Sequence, residues 1–177
     1  REQNCDMIIS HHPLFFVPLQ WRDIDIYCAH TNLDKAQGGT TDTLIKTLGF
    51  EISDTQEFVR YVDVEITVEE CLMKLKAISP NLRYVNNNGV NILKRIAFCA
   101  GSGSEFIQEA YDNGADAFVT GDLKFHTALE SPIVVFDIGH FESEILVLPV
   151  FERLVGSEVK FIYADEKSPF QNLDNQN

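Results

Sequence analysis

Residues 97–138, AFCAGSGSEFIQEAYDNGADAFVTGDLKFHTALESPIVVFDI, decide the fold. The apolar run Ala97 to Cys99 reads as a buried strand. It passes through Gly101-Ser102-Gly103-Ser104 into SEFIQEAYDN, where Phe106, Ile107 and Ala110 recur at helical spacing and Gly114 ends the helix. DAFVT is the next strand. Asp122 then stands where a helix N-cap would, LKFHTALE is a helix, and IVVFDI is a third strand. Strands alternating with helices are the mark of βα units around a largely parallel sheet. The pattern extends outward into a helix from about Phe141 to Leu154, bent at Pro149, and a last strand, VKFIYA, at residues 159–164.

Upstream, DMIIS and DIDIYCA read as two further strands, and TTDTLIKTLGF as a helix that Gly49 ends. Thr67 and Glu70 have the spacing of a capping box and open the helix ECLMKLKA, which Pro80 prevents from continuing. Glu51 to Arg60 is mostly polar and carries no periodic pattern, so a lobe boundary is expected there. The expected architecture is α/β and two-lobed, built of mostly parallel βα units. A first lobe covers 1–57 and a second 58–177, and the last helix and strand pack back on the first lobe. The polar tail Gln171 to Asn177 is expected to fray.

The 177 residues carry 14 basic against 27 acidic side chains, a net charge of −13, and 45% are hydrophobic. That acidity opposes the counterion release that drives most binding to DNA or RNA, and the basic residues are scattered, so a nucleic-acid role is not expected. No apolar stretch approaches the ~20 residues that cross a bilayer. Cys5, Cys28, Cys71 and Cys99 show no CxxC spacing, and Cys28 and Cys99 sit in apolar runs, which reads as reduced thiols in a cytoplasmic protein. No Ser-His-Asp or Cys-His arrangement is apparent. Gly101 to Ser104 has the strand-to-helix placement that can hold an anion. Phe106 stands at the third glycine of GxGxxG, however, so a tight turn is the plain reading.

The histidines are more informative. His11 and His12 follow MIIS, His30 follows DIYCA, His140 follows VVFDIG, and His126 lies one turn into the helix after FVTGD. Ligands of open α/β sheets bind beyond the carboxyl ends of the strands, where these loops share a crevice. Carboxylates accompany them: Glu144 is four residues from His140 and would share its helix face, and Asp34 is four from His30. Imidazole with carboxylate suits Zn²⁺, Fe²⁺, Mn²⁺ or Ni²⁺. Adjacent histidines on a strand point to opposite faces, so His11 and His12 can both serve only if the strand has ended, each then taking a different ion. A carboxylate such as Glu144 can bridge two ions ~3.5–4 Å apart, the arrangement that activates water. Thr120, Gly121 and Asp122 could add supporting hydrogen bonds. Phe15, Phe16, Pro18 and Trp21 read as lobe or subunit packing surface.

The strings IISHHPLFF, YCAHTNLD, GADAFVTGDLKFH and FDIGHFESE, in that order, resemble the Nif-three-like family, also called GTP cyclohydrolase I type 2 homologues. The resemblance runs from about Asp6 to Phe170. It implies a pair of divalent metal ions bound by His11, His12, Asp34, His140 and Glu144. It further implies a two-lobed α/β fold, a metal site facing the cleft, and toroidal homo-oligomers, commonly hexamers. Family members usually begin with a further strand and helix before the His-His motif, and this chain is expected to lack that unit. The expected function is a cytoplasmic, dinuclear-metal hydrolase acting on a nucleotide or phosphoester-type small molecule, with His126 or His30 as the proton-transfer group. The alternative is a non-catalytic metal-binding scaffold or partner-binding ring.

Overall fold

The computed structural model describes residues 3–16 and 23–170. In chain order its regular elements are β1 (Met7–Ser10), β2 (Asp25–Cys28), α1 (Thr31–Lys35), α2 (Thr40–Thr47), β3 (Asp54–Thr55), β4 (Arg60–Thr67), α3 (Val68–Lys76), β5 (Arg83–Val85), β6 (Ile92–Phe98), α4 (Ile107–Asp112), β7 (Ala117–Thr120), α5 (Phe125–Glu130), β8 (Val134–Asp137), α6 (His140–Glu144) and α7 (Leu148–Val155). The fold is mixed α/β. Strands β1 and β2 form a parallel pair, and the other six make one sheet in the order β3-β4-β6-β7-β8-β5. At the heart of that sheet β6, β7 and β8 run parallel, the βα units expected from residues 97–138. Antiparallel strands β4 and β5 extend it on either side.

The central strands are apolar over Ile96–Phe98, Ala117–Val119 and Val134–Phe136, where both faces are covered. Ile96, Phe98, Val119, Val134 and Phe136 face Leu44 and Ile45 of α2 and Cys71 and Leu75 of α3. The alternate residues Ala97, Phe118 and Val135 face Ile107 and Ala110 of α4. A third, smaller cluster joins Ala29 and Leu33 to Val150 and Phe151, so α7 packs back on the chain around β2 and α1. The capping box of α3 forms as its spacing indicates, Thr67 Oγ1 accepting from the Glu70 amide and the Thr67 amide donating to the Glu70 carboxylate.

Two expectations are corrected. Residues 159–164 form no strand; only Phe161 packs against an apolar cluster, while Val159 and Ile162 stay exposed. β-propensity cannot make a strand without a neighbouring edge to receive its hydrogen bonds. The single helix bent at Pro149 is instead α6, a 3₁₀ turn at Ile145–Val147, and α7. Pro149 lies in the first turn of α7, where its missing N–H costs nothing. Pro18, Trp21 and the tail from Gln171 lie outside the described residues. Among the described residues no helix is long and apolar enough to cross a membrane.

Candidate metal centre

The loops that follow β1, β2, β6, β7 and β8 meet at one cluster of imidazoles and carboxylates. His11 and His12 come directly after β1, where the strand has ended, and their rings stand at 75° to one another rather than on opposite faces of a sheet. His11 is buried, and its Nδ1 lies 2.8 Å from the Ala29 carbonyl at the end of β2. A proton held there leaves Nε2 as the free nitrogen. His30 opens α1, which carries Asp34. Gly139, with φ +84°, turns the chain into α6, so His140 and Glu144 lie one turn apart on the same face.

The two oxygens of Glu144 divide between two groups. Oε1 lies 3.6 Å from His11 Nε2, which is itself 3.3 Å from Asp34 Oδ1. Oε2 lies 2.7 Å from His12 Nε2 and 3.2 Å from His140 Nε2, and those two nitrogens are 3.2 Å apart. Donors about 2.0–2.1 Å from a tetrahedral ion stand about 3.3 Å from each other. Both triads, His11–Asp34–Glu144 and His12–His140–Glu144, therefore have the spacing of ligand sets that could hold a metal ion, and His11, His12 and His30 form a third possible group. His11 Nε2 and Asp34 Oδ1 are buried without a hydrogen-bond partner. Buried polar atoms are seldom left so, and a cation between them would satisfy both.

The electrostatics agree. Burial alone would lower His11, but the carboxylates of Asp34 and Glu144 outweigh it and push the imidazole up to about 10. Glu144 likewise raises His140 against its burial, to about 9, with help from Asp122. Burial would raise Glu144, yet His11, His140 and His12 hold its carboxyl well below the usual range. Protons in this cluster do what divalent cations would do: they compensate acidic oxygens removed from water.

Close-approach glycines seat the cluster. A Cβ on Gly101, which has φ +70°, would overlap Glu144 Oε1, and a Cβ on Gly121 would lie 2.7 Å from the His140 amide nitrogen. The Gly101 amide donates to Ser143 Oγ, which donates in turn to the His140 carbonyl. Asp122 is not a helix cap; Lys124 takes that position, and Asp122, at φ +55°, instead accepts from His140 Nδ1 at 2.7 Å. This bond turns Nε2 toward the cluster. Thr120 Oγ1 accepts from the Gly103 amide and donates to the Gly101 carbonyl, fixing the neighbouring loop.

All five residues singled out as ligands are thus brought together. His30 joins them, its ring 5.3 Å from His11 and 4.9 Å from His12. His126 does not: it is exposed on α5, its ring against Phe125. Ser143 and the contact of Gly101 with Glu144 were not foreseen, although the Gly101 loop follows a strand end like the histidine loops.

The sequence pattern of the family described as Duf34/NIF3 (NGG1p interacting factor 3) matches residues 1–169. The chain belongs to the DUF34/NIF3 family. It is 34% identical to a Clostridium perfringens protein named GTP cyclohydrolase 1 type 2 homolog, over 97% of this chain and 79% of that one. A Campylobacter jejuni protein of the same name is 33% identical over 93% of this chain and 76% of its own length. The crystal structure of TTHA1606 from Thermus thermophilus shares the fold, with a TM-score of 0.78 and 19% identity over 96% of this chain and 78% of that one.

Proposed function

We propose that this DUF34/NIF3 chain binds two divalent metal ions, one at His11–Asp34–Glu144 and one at His12–His140–Glu144, and is a metal-dependent hydrolase. The carrying observation is that Glu144 turns one oxygen to each triad: Oε1 lies 3.6 Å from His11 Nε2, and Oε2 lies 2.7 and 3.2 Å from the His12 and His140 Nε2 atoms, with the three donors of each triad within 4.8 Å of one another. The cleft between a first lobe, 1–57, and a second, 58–177, is the proposed setting. Zn²⁺, Fe²⁺, Mn²⁺ and Ni²⁺ all suit the donor set. Bound there, such ions supply Lewis acidity, lowering the pKa of water from 15.7 toward ~7 and offsetting negative charge that develops on the substrate.

The protein's own groups do the rest. Glu144 and Asp34 contribute the negative charge that draws cations into the site, and Glu144 couples its two halves. Asp122 holds the His140 ring in one orientation. His30, half-buried beside His11 and His12, is placed to carry a proton to or from a reacting group. His126, exposed on α5 and outside the cluster, is set aside for this role; a His126→Ala variant should keep the turnover that His30→Ala loses. The relatives' name puts guanine nucleotides within a broader substrate class of nucleotides and phosphoesters. A ring-shaped homo-oligomer, hexameric as the family resemblance implies, is supported by exposed Phe15 and Phe16 just beyond the His-His pair. Four free cysteines favour a reducing, cytoplasmic setting.

The test is a panel of nucleotides and phosphoesters assayed with and without Mn²⁺, Fe²⁺ or Zn²⁺. Metal-dependent turnover that disappears in folded Asp34→Asn and Glu144→Gln variants is expected. One observation favours a second reading, a non-catalytic scaffold: the donors come from two separate sheets, which bound ions would stitch together. Chelation would then lower the melting temperature while no member of the panel was turned over.

A further inference from the structure

We propose that Arg60 is a positioning residue for the Asp34 half of the metal centre: its guanidinium, reaching from the start of β4, pins the end of α1 and so sets the carboxylate that faces His11. The inference rests on the two-ion reading above. Arginine is almost never fully buried unless paired, and Arg60 is 1% exposed. Its donors are spent on three separate segments. Nε donates to Asp42 Oδ1 at 2.6 Å, Nη1 to the Gln56 carbonyl at 2.7 Å, and Nη2 to the Lys35 carbonyl at 2.9 Å.

The third of these bonds reaches the site. Lys35 is the last residue of α1, where a helix leaves carbonyls without internal partners. Helix α1 has five residues and no side-chain cap at its N-terminus, so it cannot hold its own geometry. Leu33 anchors one face in the cluster with Val147, Val150 and Phe151. Leu33, with Ala36 beside it at the C-cap, holds only the apolar side of this short helix, and the bond to Lys35, next to Asp34, fixes it from the other side. Asp42 reinforces the arrangement, because its Oδ2 accepts from the Gly38 amide at 2.7 Å in the turn that follows α1. The His12–His140–Glu144 group is seated on other supports, namely α6, Gly101 and Asp122. Loosening Arg60 should therefore damage one ion site and spare the other.

The experiment uses the full chain and Mn²⁺ titrated by calorimetry. Arg60→Lys keeps a positive charge for Asp42 but cannot serve three acceptors from one planar fork. The expected result is one binding event weakened at least tenfold and the other changed less than threefold, with Asp34→Asn added to Arg60→Lys leaving the surviving event unaltered. Equal weakening of both events, or of neither, overturns the proposal. Amide hydrogen exchange gives a readout that needs no metal: exchange at Leu33, Asp34 and Ala36 should quicken at least tenfold in Arg60→Lys while Phe118 and Val119 keep their rates, and unchanged exchange at α1 also overturns it. Wild type that takes up no Mn²⁺ refutes the two-ion reading, and the exchange comparison still judges Arg60. Should Arg60→Lys fail to fold, Asp42→Asn loosens the same guanidinium; a selective loss of threefold or more is expected, and no loss counts against the proposal.

Discussion

Replacing Gly101 by alanine should weaken metal binding at the proposed centre without unfolding the protein. The new Cβ would sit about 1 Å inside ordinary contact with Glu144 Oε1. The carboxylate end of a glutamate can retreat, so the clash is relieved by moving the side chain and not the sheet. The backbone cost is a non-glycine residue held at φ +70°, about 1–2 kcal/mol. That is tolerable against the ~5–15 kcal/mol stability of a typical domain. It is not tolerable for ligation, because metal–ligand distances hold to within about 0.2 Å and the displacement is several times larger. Glu144 faces both triads, so both should suffer. Elemental analysis and Mn²⁺ titration of Gly101→Ala should show at least a tenfold loss of affinity, with a circular dichroism spectrum like wild type and a melting temperature lowered by only a few degrees. Two ions retained at wild-type affinity would refute the idea that this loop gauges the position of Glu144.

Glu144→Gln should abolish both ion sites, whereas Asp34→Asn should remove one and leave the His12–His140–Glu144 site filled; the stoichiometry of bound metal distinguishes them. Thr67→Ala should cost ~1 kcal/mol by breaking the capping box of α3, read as a shift in the denaturation midpoint with metal content unchanged. Thr67 holds the exposed Glu70 carboxyl below its ordinary range, so the contribution of the box is present above that range and lost as pH falls through the folded pKa. The gap between wild type and Thr67→Ala should accordingly narrow in acid. Burial pushes the Cys71 and Cys99 thiols up to about 12, leaving roughly one thiolate in ten thousand at pH 8. Iodoacetamide should label both only after unfolding, as peptide mass mapping would show.

The parallel heart of the sheet was legible in residues 97–138 because its strands are buried on both faces, and burial writes itself as apolar runs between turn residues. The antiparallel flanks were harder to read. β3 is two residues long inside a polar stretch, and its pairing to β4 is a tertiary event without a local pattern. VKFIYA shows the converse, a segment with strand propensity that has no partner. At the site, the residues proposed as ligands stood out through type and spacing, since His140 and Glu144 need only one helical turn to share a face. Their supports did not. Asp122 looked like a cap because it precedes a helix, and only its positive φ and the approach of His140 reveal its other role. Arg60 stands between the apolar pairs Phe58-Val59 and Tyr61-Val62, but that pattern does not name what its guanidinium would meet. Two of its three partners, Asp42 and the Lys35 carbonyl, are brought to it by the fold.

Anomalous diffraction from crystals soaked in Mn²⁺ or Zn²⁺ examines the shared role proposed for Glu144 most directly. Two peaks about 3.5–4 Å apart are expected, one bounded by His11, Asp34 and Glu144, the other by His12, His140 and Glu144, with Glu144 contributing an oxygen to each. A single peak that does not touch Glu144, or no peak in this cluster at saturating metal, would contradict it.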